Sequence, residues 1–189
     1  MPRWNEPPSR LKRAETLSSA EQKIIVGIAE LAVSNDCAVT MATYALGACL
    51  GVALYDPIAR IGGLSHLMLP DSSMEATRAA RQPALFVDTG VPALIRAACQ
   101  LGAEKNRLTI SIVGGAQILD DGNSFNLGPR NCLALDRVLK QYGLRVHAEQ
   151  VGGLLNRTMC LSIATGEVRL KTSGQAGETL LLCKNSTNI

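Results

Sequence analysis

The chain has only two histidines, and one of them, His66, follows the thiol of Cys49 inside a single stretch, residues 43–70, TYALGACLGVALYDPIARIGGLSHLMLP. Little else in that stretch can carry chemistry. A thiol with an imidazole in reach is the smallest set that supports nucleophilic catalysis: the sulfur attacks a carbonyl carbon and the ring moves the protons. A thiol is weakly ionised at neutral pH unless a base or a positive charge holds the thiolate, so a catalytic Cys49 needs His66 beside it, and His66 is expected to raise its thiolate fraction. The run ALGACLG sets Cys49 among small residues, where the backbone can approach a substrate and turn its amides outward toward a developing oxyanion. The competing reading is that both are packing residues, which lone cysteines and histidines usually are. Spacing alone leaves both readings open. His147, in a short strand pattern with nothing reactive beside it, reads as a structural or surface residue. Gly114-Gly115 and Gly152-Gly153 match neither nucleotide-binding glycine pattern and read as turns.

For Cys49 and His66 to meet, the segments around them must fold back on each other. Residues 50–55 form an apolar strand closed by Asp56-Pro57, and residues 61–69 form the returning strand; directly opposed residues of such a pair stand roughly 5 Å apart. Upstream, residues 23–33 begin with a β-branched run that reads as one strand, and residues 37–43 read as another, with Asn35-Asp36 suited to the turn between them. Four strands in quick succession predict a meander or hairpins. A helix is predicted from Asp88 or Thr89, with Val91, Leu94, Ile95, Ala98 and Leu101 on one face and Gly102 as its stop. Residues 107–115 read as a strand entering the Gly114-Gly115 loop. Asn131 looks like the N-cap of a second helix, carrying Leu135, Val138, Leu139 and Tyr142 to Gly143. Segments 145–153, 158–170 and 179–184 read as strands. The pattern is α/β of the α+β kind, with mixed sheet in layers and no regular βαβ alternation.

Composition narrows the function classes. At 189 residues, 47% hydrophobic and 19% charged, the chain can bury a core, and one domain is the default. Aromatics at 3% leave few stacking platforms for single strands, and a net charge of +3 without a basic face is too little to track phosphates, so nucleic acid is not an expected partner. The N-terminal run MPRWNEPPSRLKRAETLSSAEQ has no apolar stretch, so residues 1–22 are expected to be a flexible or partly helical extension of a cytoplasmic protein, with no membrane insertion. Six cysteines without a C-x-x-C pair or a histidine at ligand spacing predict no metal site; most are expected to be reduced and buried.

Beyond these residues, the stretch TYALGACLGVALYDPIARIGGLSHLMLP resembles the CheD family of chemoreceptor glutamine deamidases. That family's pattern is approximately T-L-G-L-G-S-C, then a strand and a D-P turn, then G-x-x-x-H-x-M-L-P. IIVGIAELAV is similar to its opening segment, IVGGAQIL to its G-G-A loop, NLGPRN to its I-G-x-R-N segment and EQVGG to its late G-G turn. The likeness runs from about residue 23 to 170 in the family's order. Ala45 stands where the family often has Gly, Ala48 where it often has Ser, and Pro129 lies inside the I-G-x-R-N match.

The resemblance implies a β-sandwich-like core of mixed sheets with flanking helices, like that of the cysteine deamidase toxins, over residues 23–183, with a frayed tail at 184–189. It implies hydrolysis of glutamine side chains on methyl-accepting chemotaxis receptors through a cysteine thioester, with Cys49, His66 and Thr43 as catalytic residues. Backbone amides around Gly47 and Ala48 would hold the oxyanion, and no cofactor is needed. Thr43 would either orient the imidazole or bind the substrate amide. The implied partners are receptor cytoplasmic helices and the CheC phosphatase where one exists. Two rival readings fit the same fold: a non-catalytic adaptor binding receptors or CheC, and hydrolysis of receptor glutamyl methyl esters at the same site.

Overall fold

The computed structural model describes residues 22–117 and 126–181. The expected extension, except Gln22, and the expected tail lie outside the described residues. Among the described residues ten strands form two five-stranded sheets. One runs β1 (Gln22–Ile25), β3 (Val39–Leu46), β8 (Arg157–Ser162), β9 (Val168–Thr172), β10 (Thr179–Leu180). The other runs β2 (Leu31–Ser34), β5 (Ile61–Leu67), β4 (Leu50–Asp56), β6 (Thr109–Gly114), β7 (Val146–Val151). The helices are α1 (Ala76–Arg81), α2 (Val87–Gln100) and α3 (Leu127–Tyr142).

The order of layers follows from side-chain alternation. Met41, Leu46, Ala53, Leu64, Val113, Met159 and Leu161 from both sheets fill one core between them. On the far face of the second sheet, Leu50, Val52, Leu54, Leu67, Ile110 and Ile112 pack against Val91, Leu94 and Ile95 of α2 and Leu135 and Leu139 of α3. Strands β4 and β5 are therefore buried on both faces and read as nearly continuous apolar runs. Strand β9 alternates buried and exposed residues because its outer face meets water. The mixed α/β arrangement with flanking helices agrees with the expected fold class.

Two expectations about the first strands are corrected. Residues 23–33 are not one strand: the chain turns at residues 26–30, Glu30 N–H bonding to Gly27 O, and β1 and β2 enter different sheets. Nor do the first strands form a meander, since β1 pairs with β3 in parallel and only β4 and β5 make a hairpin. A run of β-branched residues marks extended chain but not the glycine turn that divides it.

The hairpin's closed end is held by Asp56. Its carboxylate accepts Arg107 Nη2 at 2.7 Å and the N–H groups of Ile58, Ala59 and Glu104. Those donors, Arg107 first, hold its carboxyl well below the usual carboxylate range. Helix α2 begins one residue before the expected cap, within ordinary boundary scatter. Helix α3 begins at Leu127 rather than after Asn131, so the predicted N-cap is an interior residue. Pro129 falls in its first turn, where the missing N–H costs nothing. The five described cysteines are free thiols, but Cys37 and Cys99 are exposed and Cys49, Cys132 and Cys160 half-buried, so the expectation of mostly buried cysteines is corrected.

Candidate active site

Strands β4 and β5 pair with Leu50 opposite Leu67 and Gly51 opposite His66. Leu50 and Leu67 face the helices, so the next residues in register, Gly51 and His66, face the other sheet. Cys49 precedes β4 by one residue and packs into the same inter-sheet core. It thus lies on His66's face, one diagonal step along the ladder rather than directly opposite.

Thr43 arrives from the other sheet. Strand β3 turns Met41 inward, and Thr43, two residues on, points the same way. Its Oγ1 meets His66 Nδ1 at 2.7 Å. Both residues are buried, Thr43 at 0% and His66 at 1% exposure. The other ring nitrogen, Nε2, is buried with no hydrogen-bond partner. With Nδ1–H donating to Thr43, Nε2 presents a lone pair, the form that can accept a proton. Sequence left open whether Thr43 serves the ring or the substrate. The structure shows Thr43 fully buried against the ring, Oγ1 bonded to Nδ1.

Burial pushes the Cys49 thiol up and the His66 imidazole down. Both shifts disfavour the charged forms and so oppose the thiolate fraction that His66 is expected to raise. An inter-sheet site desolvates both charged forms, and this counterweight cannot be read from a Cys and a His in sequence.

Between Thr43 and Leu46 strand β3 carries an irregularity, and residues 47–49 leave the sheet on the way to the thiol. Ala45 adopts φ +57°, Gly47 N–H bonds to Ala45 O at 2.9 Å, and the β3–β8 register shifts between Thr43 and Leu46. Gly47 N–H is thereby committed within the turn, while among the described residues the Ala48 and Cys49 amides have no backbone partner. Gly114, at φ +118°, lies so close to Cys49 O that a Cβ would collide with it. Gly114 is the last residue of β6 and Gly115 leaves the sheet as irregular chain, not the turn expected, and Gly115 N–H donates to Cys49 O at 2.9 Å. His147 is exposed and accepts Ile110 N–H at 3.3 Å.

Two buried polar residues were missed by sequence reasoning, Asn131 beside the Cys49 turn and Arg157 at the late glycine turn. Asn131 is fully buried in α3, its Nδ2 donating to Ala48 O at 3.0 Å and Met68 O at 2.9 Å. Its signal was present: with Leu135, Val138 and Leu139 it falls at i, i+4, i+7 and i+8, a polar residue on an apolar helix face. Arg157, opposite Leu46, is buried and donates to Gly152 O at 2.8 Å, fixing the late glycine turn. Gln117 N–H bonds to Gly153 O of that turn.

The chain matches the family described as CheD chemotactic sensory transduction over residues 68–172. It is 42% identical over 151 residues to a probable chemoreceptor glutamine deamidase CheD 1 of Syntrophus aciditrophicus, covering 80% of this chain and 94% of the relative. A probable chemoreceptor glutamine deamidase CheD of Solibacter usitatus is 41% identical over 157 residues, 83% of this chain and 93% of the relative. One of Pyrococcus abyssi is 38% identical over 152 residues, 79% and 91%. Among the described residues no helix is long and apolar enough to cross a membrane.

Proposed function

The chain belongs to the CheD family, and on that premise we propose that it hydrolyses glutamine side chains of methyl-accepting chemotaxis receptors to glutamate, with Cys49 as nucleophile. The observation that carries this reading is the buried Thr43 Oγ1 to His66 Nδ1 contact, which leaves Nε2 unpartnered on the face Cys49 shares. A packing histidine has no need of one satisfied and one unsatisfied nitrogen, because the unsatisfied one costs stability.

In this mechanism Cys49 Sγ attacks the glutamine Cδ as its proton passes to His66 Nε2, attack and transfer occurring together because burial disfavours both charged forms. Thr43 accepts Nδ1–H and stabilises the imidazolium that forms. The carbonyl oxygen becomes an oxyanion held by the amides of Ala48 and Cys49, Gly47 N–H being occupied. Collapse breaks the C–N bond, and His66 returns the proton to the departing ammonia. Water then attacks the thioester, giving its proton to Nε2; collapse breaks the C–S bond, and the proton goes back to sulfur. The products are ammonia and a glutamate side chain. A half-buried Cys49 admits a substrate side chain from solvent. The action is cytoplasmic, on receptor cytoplasmic helices, and a CheC phosphatase is a second partner by the same family reading.

The test is mass spectrometry of a receptor cytoplasmic fragment incubated with the protein. Conversion of particular glutamines to glutamates is expected. A fragment returned unchanged, yet bound, supports the adaptor reading instead.

A further inference from the structure

The turn that carries Cys49 is held by its carbonyls. Gly47 O accepts Ala116 N–H at 2.8 Å and Cys49 O accepts Gly115 N–H at 2.9 Å. Between them, Ala48 O accepts Asn131 Nδ2 at 3.0 Å. A trans peptide points its C=O and its N–H in opposite directions, and no described peptide is cis. Holding Gly47 O therefore aims the Ala48 N–H, and holding Ala48 O aims the Cys49 N–H, away from the anchoring groups. Two of these anchors are backbone amides of the glycine loop. The third is a side chain.

The amide of Asn131 cannot be turned around without setting Oδ1 against two carbonyl oxygens, so its orientation is fixed by this network. The second bond, to Met68 O at 2.9 Å, keeps the NH₂ group from rotating off Ala48 O. Oδ1 is buried with no partner. An apolar residue at this position on the buried face of α3 would take this donor from Ala48 O and Met68 O, so the asparagine serves the turn rather than the packing of the helix. We propose that Asn131 is a positioning residue for the oxyanion site, holding the Ala48–Cys49 peptide so that the Cys49 N–H faces the substrate carbonyl. A hydrogen bond accepted by Ala48 O also polarises the peptide and strengthens the Cys49 N–H as a donor. The inference rests on the proposed reading that Cys49 is the nucleophile.

The test compares Asn131→Ala with Leu139→Ala, a core truncation on the same helix that touches none of these groups, on a receptor cytoplasmic fragment. Asn131→Ala is expected to lower kcat about ten- to a hundredfold with little change in KM, less than the roughly 10²–10³ lost when an oxyanion donor is removed outright, because here the donor is misaligned and not deleted. Iodoacetamide alkylation of Cys49, a displacement at saturated carbon that forms no oxyanion, is expected to keep its rate. Leu139→Ala is expected to lower Tm while keeping kcat. Asn131→Ser, too short to reach both carbonyls, gives the same split and serves where the alanine variant does not fold. Retained kcat in a folded Asn131 variant overturns this inference alone, as does a parallel loss of kcat in Leu139→Ala or of Cys49 alkylation in Asn131→Ala. Absence of deamidation by the unaltered chain overturns the functional reading and this inference together.

Discussion

Replacing Thr43 by Val isolates the contact on which the chemistry depends. Valine keeps the β-branched shape that β3 favours and deletes only the hydroxyl. The lost bond is short, 2.7 Å, between groups at 0% and 1% exposure, so no solvent compensates when it goes. Nδ1–H is left buried and unsatisfied, at a cost of about 1–3 kcal/mol. The ring can relieve that cost by moving its proton to Nε2, which is the tautomer that cannot accept the Cys49 proton. Either way the transition state loses this energy, which corresponds to about ten- to a hundredfold in kcat/KM. The assay is conversion of receptor glutamines followed by mass, paired with the alkylation rate of Cys49, which falls with deamidation if Thr43 acts through the imidazole. Deamidation at the parental rate refutes the reasoning. Unchanged alkylation with weakened receptor binding moves Thr43 from the ring to the substrate.

Three further outcomes follow from the same geometry. Because burial raises Cys49 and lowers His66, alkylation of Cys49 is expected to keep rising above pH 9, and deamidation to lose its base only below the ordinary histidine value of 6.5; an alkylation plateau near neutral pH contradicts these directions. Asp56→Ala is expected to cost roughly 3 kcal/mol, the low end for a broken buried pair since Arg107 stays 27% exposed. A depressed native carboxyl contributes stability that is complete above its unfolded pKa near 3.8 and lost as pH falls toward the native value, so thermal melts of the parent steepen in their pH dependence below pH 4 and those of the variant do not; equal slopes sink that assignment. Ala45→Gly relieves a left-handed residue at φ +57°, with a gain of about 0.5–1 kcal/mol after the added unfolded-state entropy, read as a higher Tm; a lower Tm contradicts it.

The catalytic candidates were legible because cysteine and histidine are rare and their surroundings small and apolar, and because a D-P turn between two apolar runs forecasts the hairpin that the structure contains. The diagonal placement of Cys49 relative to His66 was not legible, since register depends on the turn at residues 57–60. Sheet membership was hidden for a related reason: β1 and β2 are separated by only a short turn, yet their partners, β3 and β5, lie in different layers. Asn131 was misread as a cap because asparagine favours both helix starts and turns, and only the third dimension reveals that its amide reaches two carbonyls flanking β4 and β5. The raised Cys49 and lowered His66 pKa values arise from burial between two sheets, a property of the assembled layers and not of any local motif.

The central claim is that Cys49 is the nucleophile, and the most direct measurement is deamidation by Cys49→Ala of a receptor cytoplasmic fragment that the parent converts. Cys49 is half-buried and alanine removes only the sulfur, so the variant is expected to fold with a Tm close to the parent's and to convert no glutamine. A folded Cys49→Ala protein that still turns receptor glutamines into glutamates would contradict the account.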